Sequence, residues 1–213
     1  MQIIENKALL LKVKEPRRIT TVIPKAKQIS DNEVLVKWGL EEAQVLKNLK
    51  LKNVPSPIDA QYDWPGLYKP FAHQRTTASF LTMHRRAFCF NEQGTGKTAA
   101  SIWAADYLME RGVIKRVLVV CPLSIMQSAW QADLFKFAVH RPVDVAYGDR
   151  NKRKAIVNGP ADFIIINYDG VDIVADEIAN GGFDLIIIDE ANAYKNHTTK
   201  RFKTMRKLVQ PST

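Results

Sequence analysis

The sequence predicts an α/β fold: a parallel sheet flanked by helices, preceded by a small α+β N-terminal appendage. Three observations carry this expectation. Near-continuous apolar runs recur after residue 70, segments of helical composition separate them, and a glycine-bearing loop joins the first run to the first of those helices. Unbroken Ile, Val and Leu suit strands covered on both faces, and their alternation with helices suits parallel pairing.

The elements follow in order. Residues 1–60 hold short β-branched or alternating runs, ALLLKV, ITTVIP and EVLVKW, broken by KEPRR and KQISDN, and read as a β-rich piece. LEEAQVLKNLKL, 40–51, sets Leu40, Ala43, Val45, Leu46, Leu49 and Leu51 at roughly helical spacing. NVPSPIDAQYDWPG, with three prolines and a glycine, is expected to be an irregular connector. Strands are then predicted at AFCF (87–90), RVLVVC (116–121), VDVAY (143–147), DFIIIN (162–167) and DLIIID (184–189). TAASIWAADYLMER, SIMQSAWQADLFKFA, RNKRKAIVNG and GVDIVADEIANG are the predicted helices. The expected domains are an appendage over 1–60 and the α/β domain over 61–213.

Composition bounds the function. With 46% hydrophobic and 25% charged residues in 213, the chain is globular. No apolar run reaches the ~20 residues of a membrane span, and the N-terminus lacks a signal-peptide pattern. A soluble, cytoplasmic protein with no membrane partner is expected. Cys89 and Cys121 sit in apolar runs and read as core thiols of a reducing compartment. His73, His84, His140 and His197 have no metal-ligand spacing and read as structural or surface residues. The net charge of +9 suits a polyanionic partner. It is densest at Arg150, Lys152, Arg153 and Lys154, and again at Lys195, Lys200, Arg201, Lys203, Arg206 and Lys207. The two runs read either as solvated faces or as a surface for a phosphate backbone.

Two motifs carry chemistry. NEQGTGKT, 91–98, follows an apolar run and opens a helix. Its loop residues Gln93, Gly94, Thr95 and Gly96 are expected to turn backbone N–H groups toward phosphate. Lys97 then reaches the β- and γ-phosphates, and the Thr98 hydroxyl ligates Mg²⁺. DLIIIDEANAYKN places Asp189 and Glu190 at the end of a predicted strand. Asp189 is expected to hold the Mg²⁺ and Glu190 to orient and deprotonate an attacking water. The predicted cofactors are ATP and Mg²⁺, with Lys97 and Glu190 as catalytic residues.

NEQGTGKT followed by IIIDEANAYKN resembles superfamily-two helicases and translocases, especially the Swi/Snf-like branch. The resemblance implies a RecA-like P-loop domain, the first of two in the motor. In that branch a polar residue replaces the leading glycine of the loop, so Glu92 fits and Asn91 is a mild departure. YKPFAHQ, 68–74, resembles the upstream element in which Gln74 would bind adenine, with Phe71 or Tyr68 stacking. VLVVCPLSIMQSAW resembles the motif whose Pro122, Leu123 and Ser124 would face nucleic-acid phosphates. IIINYDGV resembles the next, with Asn167 and Tyr168 at a strand end. Lys195 follows the acidic motif as a further nucleic-acid candidate, and Trp130 reads as a core or domain-face residue. Asn192 stands where the family usually has His, which puts coupling between ATP and nucleic acid in question.

The resemblance implies a DNA-dependent ATPase, acting on DNA rather than RNA. The third motif and the second RecA-like domain do not precede Thr213, so the expectation is an N-terminal half, truncated before the third motif. A strand missing between the two nucleotide-motif strands would leave a slot in the sheet. The alternative is a non-catalytic DNA-binding or regulatory module that keeps the fold. A small-molecule kinase is disfavoured, because no Arg-rich lid segment follows the sheet.

Overall fold

A computed structural model of the chain describes residues 1–92 and 94–210. They form two compact units, one of residues 1–63, 70–92 and 94–97, the other of residues 64–69 and 98–210.

The first unit contains a four-stranded antiparallel sheet. Its strands are β1 (Gln2–Ile4), β2 (Ala8–Lys12), β3 (Lys27–Ser30) and β4 (Glu33–Lys37), in the order β1-β2-β4-β3. β2 and β4 alternate buried and outward residues, and Leu9, Leu11, Val34 and Val36 close over Ile19 and Trp38. Ile19 lies on α1 (Pro16–Thr20), and Leu46 joins this core from α2 (Leu40–Asn48), the helix expected at 40–51. After the short α3 (Ile58–Gln61) comes α4 (Ala72–Thr82), which belongs with the phosphate-loop segment in this unit. The contacts thus group 70–97 with the appendage, whereas the sequence suggested a boundary at 60.

The second unit is an α/β layer fold. α5 (Lys97–Glu110) precedes β5 (Val117–Cys121). After Leu123–Ile125 (3₁₀), Met126–Gln131 (π-helical) and α6 (Ala132–Phe137) comes β6 (Val143–Ala146). α7 (Arg150–Val157) leads to β7 (Phe163–Asn167), and α8 (Tyr168–Ile173) with α9 (Ala175–Asn180) to β8 (Leu185–Ile188). A 3₁₀ turn, Ala191–Tyr194, and α10 (Lys200–Val209) complete it. The four strands are all parallel, in the order β6-β7-β5-β8. β5 and β7 are buried at every residue, which is why their sequences show no alternation. One core, with Ile102, Val119, Trp130 and Ile165, covers one face, and another, with Leu118, Ile164, Val171 and Met205, covers the other. Arg116 ties loops together, donating to the carbonyls of Val157, Gly159, Ala161 and Gly181 and lying over the Phe183 ring.

The strand predicted at 87–90 does not form. Its side chains still alternate: Phe88 and Phe90 stack in parallel, ring centroids 5.7 Å apart, and are 73% and 89% exposed. A strand takes its hydrogen bonds from a neighbour, and among the described residues none pairs with this segment. The two edges of the parallel sheet differ. β6 reads V-D-V-A with Asp144 exposed, an ordinary guarded edge. β8 reads L-I-I-I, the composition of an interior strand, yet is only half-buried and, among the described residues, pairs with β5 alone. The helix expected over 124–138 is divided into its 3₁₀, π and α parts, and that over 170–181 into α8 and α9.

Candidate nucleotide and metal site

In the first unit, the phosphate-loop segment is held by α4. Gly94 and Gly96 have φ of +78° and +75°, a region that costs other residues ~1–2 kcal/mol, so the two glycines satisfy a backbone demand. A Cβ on Gly96 would collide with the Gln74 amide, whereas one on Gly94 would meet nothing within 4 Å. Gln74 accepts the Phe71 N–H at 2.9 Å through Oε1, and its Nε2 faces the Thr95 carbonyl at 3.5 Å. The His73 Nε2–H donates to the same carbonyl at 3.0 Å. Asn91 donates through Nδ2 to the Thr77 hydroxyl at 2.9 Å, a link that a glycine could not make. Lys97 donates to the carbonyls of Asn91 and Glu92 at 2.7 and 2.8 Å. Phe71 is exposed and stacks on His73. Gln93 lies outside the described residues.

Sequence reasoning placed Gln74, Phe71, Gly94, Thr95, Gly96, Lys97 and Thr98 here; the structure groups the first six within one unit and assigns Thr98 to the other. It missed His73 and Thr77, whose roles depend on α4 lying beside the loop. No periodicity in the sequence reports that.

In the second unit, the acidic turn sits at the C-terminal end of β8. The Asp189 N–H donates to the Val120 carbonyl at 2.9 Å, extending the β5–β8 ladder by one residue. Asp189 Oδ1 accepts the Glu190 N–H at 3.0 Å, and Oδ2 accepts the Trp130 indole N–H at 2.9 Å. Glu190 has φ +49° and ψ +58°, a left-handed conformation that turns the chain into the 3₁₀ segment. Its side chain is exposed, while Asp189 is half-buried. The Tyr168 hydroxyl donates to the Asp189 carbonyl at 2.6 Å. Burial, and then the nearby Glu190 and Asp189 charges, push the Tyr168 pKa up, so it remains a donor. Burial, followed by the Asp189 charge, pushes the Cys121 thiol up to about 12, an inert core thiol.

The nucleic-acid candidates are dispersed over the same unit. Pro122, Leu123 and Ser124 follow β5, with Leu123 and Ser124 exposed, and Lys195 is exposed after the acidic turn. Tyr168 is half-buried. Asn167 is buried, and its Oδ1 accepts from Arg153 at 2.9 Å. Arg153, read as part of a basic run, is itself buried and also donates to the Ala146 and Gly148 carbonyls. Arg150, Lys152 and Lys154 are exposed.

The donor chemistry fits magnesium. Mg²⁺ is commonly held by one or two carboxylates together with substrate phosphates and waters. Asp189 keeps a lone pair on each oxygen beyond its two bonds, and Thr98, in the first turn of α5, offers a hydroxyl. Among the described residues there is no cluster of three or more His, Cys, Asp or Glu suited to an all-protein metal cage. No helix among them is long and apolar enough to cross a membrane.

A family model described as the SNF2-related domain matches residues 36–212. The chain is 27% identical over 147 residues to the uncharacterized ATP-dependent helicase YqhH of Bacillus subtilis, covering 67% of this chain and 25% of the relative. It is 30% identical over 142 residues to the putative protein p41 of Acyrthosiphon pisum secondary endosymbiont phage 1, covering 63% and 30%. Among solved structures it resembles the Sulfolobus solfataricus SWI2/SNF2 ATPase core in complex with dsDNA. The TM-score is 0.58 and the identity 27%, covering 68% of this chain and 31% of that one. The chain thus spans between a quarter and a third of the length of these relatives.

Proposed function

Because the chain belongs to the SNF2-related domain family, we propose that it is the ATP-binding part of a DNA-dependent ATPase, a helicase or translocase. The observation that carries this reading is the pair of chemically specialised turns: a loop with two left-handed glycines opening α5, and a braced Asp-Glu turn closing β8. In this reading residues 61–213 form the RecA-like domain, and 1–60 an appendage. Backbone N–H groups of Gln93, Gly94, Thr95 and Gly96 cradle the phosphates, and Lys97 reaches the β- and γ-phosphates. Gln74 binds the base, with Phe71 stacking. Thr98 and Asp189 hold Mg²⁺, and Glu190 takes the proton of the attacking water. The metal, when bound, neutralises charge developing on the phosphate oxygens.

Pro122, Leu123, Ser124, Tyr168 and Lys195 form the DNA-facing edge, a surface for phosphates that positions without reading sequence, whereas Asn167, buried and accepting from Arg153, serves the fold and not that surface. DNA is favoured over RNA by the dsDNA complex of the similar Sulfolobus core. A second RecA-like domain, in the same or another polypeptide, completes the motor by supplying arginines to the transferring phosphoryl group. Two free thiols support a reducing, intracellular setting.

Titrating a fluorescent ATP analogue with Mg²⁺ into the wild type and Lys97→Ala tests the assignment. Binding by the wild type and its loss in the variant are expected; equal affinity would refute it. Phosphate release with and without duplex DNA then separates the enzyme from a non-catalytic DNA-binding module. That second reading is favoured by Asn192, which is exposed in the acidic turn where the family usually has His.

A further inference from the structure

Trp130 is 2% exposed, packed in an apolar core with Cys121, Met126, Leu134 and Ile165. A buried indole brings one obligatory donor into such a core. Here the donor goes to Asp189 Oδ2 at 2.9 Å, across 59 residues of sequence. The residue sits in the six-residue π-helical segment Met126–Gln131, a form that occurs mostly as single turns within α-helices and is frequent at functional sites. Asp189 is therefore held at several points: its N–H on Val120, its carbonyl under the Tyr168 hydroxyl, Oδ1 on the Glu190 N–H and Oδ2 on Trp130.

The two side-chain bonds differ in what they do. With the Glu190 N–H alone, the carboxylate can pivot about its remaining torsion. A second donor on the other oxygen fixes the carboxylate plane, leaving one lone pair on each oxygen in a set direction. We propose that Trp130 is a positioning residue for Asp189, its indole N–H orienting the carboxylate for the metal. The inference rests on the assignment of Asp189 to Mg²⁺. Loss of such an outer partner typically costs ~10–100-fold in metal affinity.

Trp130→Phe removes the N–H while keeping an aromatic ring in the core. Mn²⁺ binding to the ADP-loaded protein, read by electron paramagnetic resonance of free Mn²⁺, is compared for the wild type, Trp130→Phe and Asp189→Ala. ADP affinity in EDTA is measured alongside. The expected result is at least a ~10-fold weaker Mn²⁺ affinity in Trp130→Phe, with metal-free ADP affinity unchanged. Mn²⁺ affinity equal to wild type in Trp130→Phe, when Asp189→Ala has lost it, overturns the positioning role alone. Equal weakening of Mn²⁺ and of metal-free ADP binding also overturns it, marking a packing role. Wild-type Mn²⁺ affinity in Asp189→Ala removes the metal assignment itself, and the inference with it. If Trp130→Phe fails to fold, 3-benzothienylalanine at position 130, isosteric and lacking the N–H, makes the same comparison.

Discussion

Replacing Asp106 by alanine should lower the melting temperature by about 6–12 °C. Asp106 lies on α5 with its side chain fully buried. Its Oδ1 accepts from Arg141 Nε at 2.5 Å and from His140 Nε2 at 2.9 Å. Removing one partner of a buried ion pair costs ~3–5 kcal/mol, because the other charge is left uncompensated. Arg141 keeps Asp162 at 3.4 Å and some contact with solvent, its side chain being 19% exposed, and His140 is 44% exposed. The lower end, about 3 kcal/mol, is therefore expected. At about 2–4 °C per kcal/mol for a chain of this size, that gives the stated shift. The assay is calorimetric melting of the wild type, Asp106→Ala, Asp106→Leu, Arg141→Leu and the double variant Asp106→Leu/Arg141→Leu. The double variant should recover most of the loss, since apolar groups of similar volume can replace a buried pair at little cost. A loss under 1 °C in Asp106→Ala, or simple additivity in the double variant, would refute the reasoning.

Two further predictions concern the phosphate loop and a neighbour of Asp106. Gly94→Ala should lose ~1–2 kcal/mol from the left-handed backbone alone. Gly96→Ala should lose ~0.5–1.5 kcal/mol more, because its Cβ displaces the Gln74 amide from the loop. Denaturant melts compare the pair, and equal losses would dismiss the Gln74 contact. Glu110 has its pKa raised above the usual 4.5, first by burial and then by the Asp106 charge. A raised carboxylate contributes most below its unfolded pKa and loses that contribution as pH rises through the folded value. Glu110→Gln should therefore melt above the wild type at pH 7.5, with the gap closing by pH 4; a pH-independent gap would contradict the raised pKa.

Much of the second unit was legible before any coordinates. Val117–Cys121 and Phe163–Asn167 carry their burial in composition, because a strand covered on both faces cannot alternate. Gly94 and Gly96 announce left-handed backbone, and the Asp-Glu pair after LIII announces a strand-end turn, because both are local demands on residue type. Tertiary structure alone decided what depends on a partner distant in sequence. The segment 87–90 has the alternation of a strand but no neighbour among the described residues to supply its hydrogen bonds. Arg153, spelled like its exposed neighbours, turns inward to Asn167 and two carbonyls. Trp130 reads as one more apolar residue until the fold brings Asp189 within 2.9 Å of its N–H. Local periodicity reports which side of an element is covered; it carries no information about which polar atom waits there.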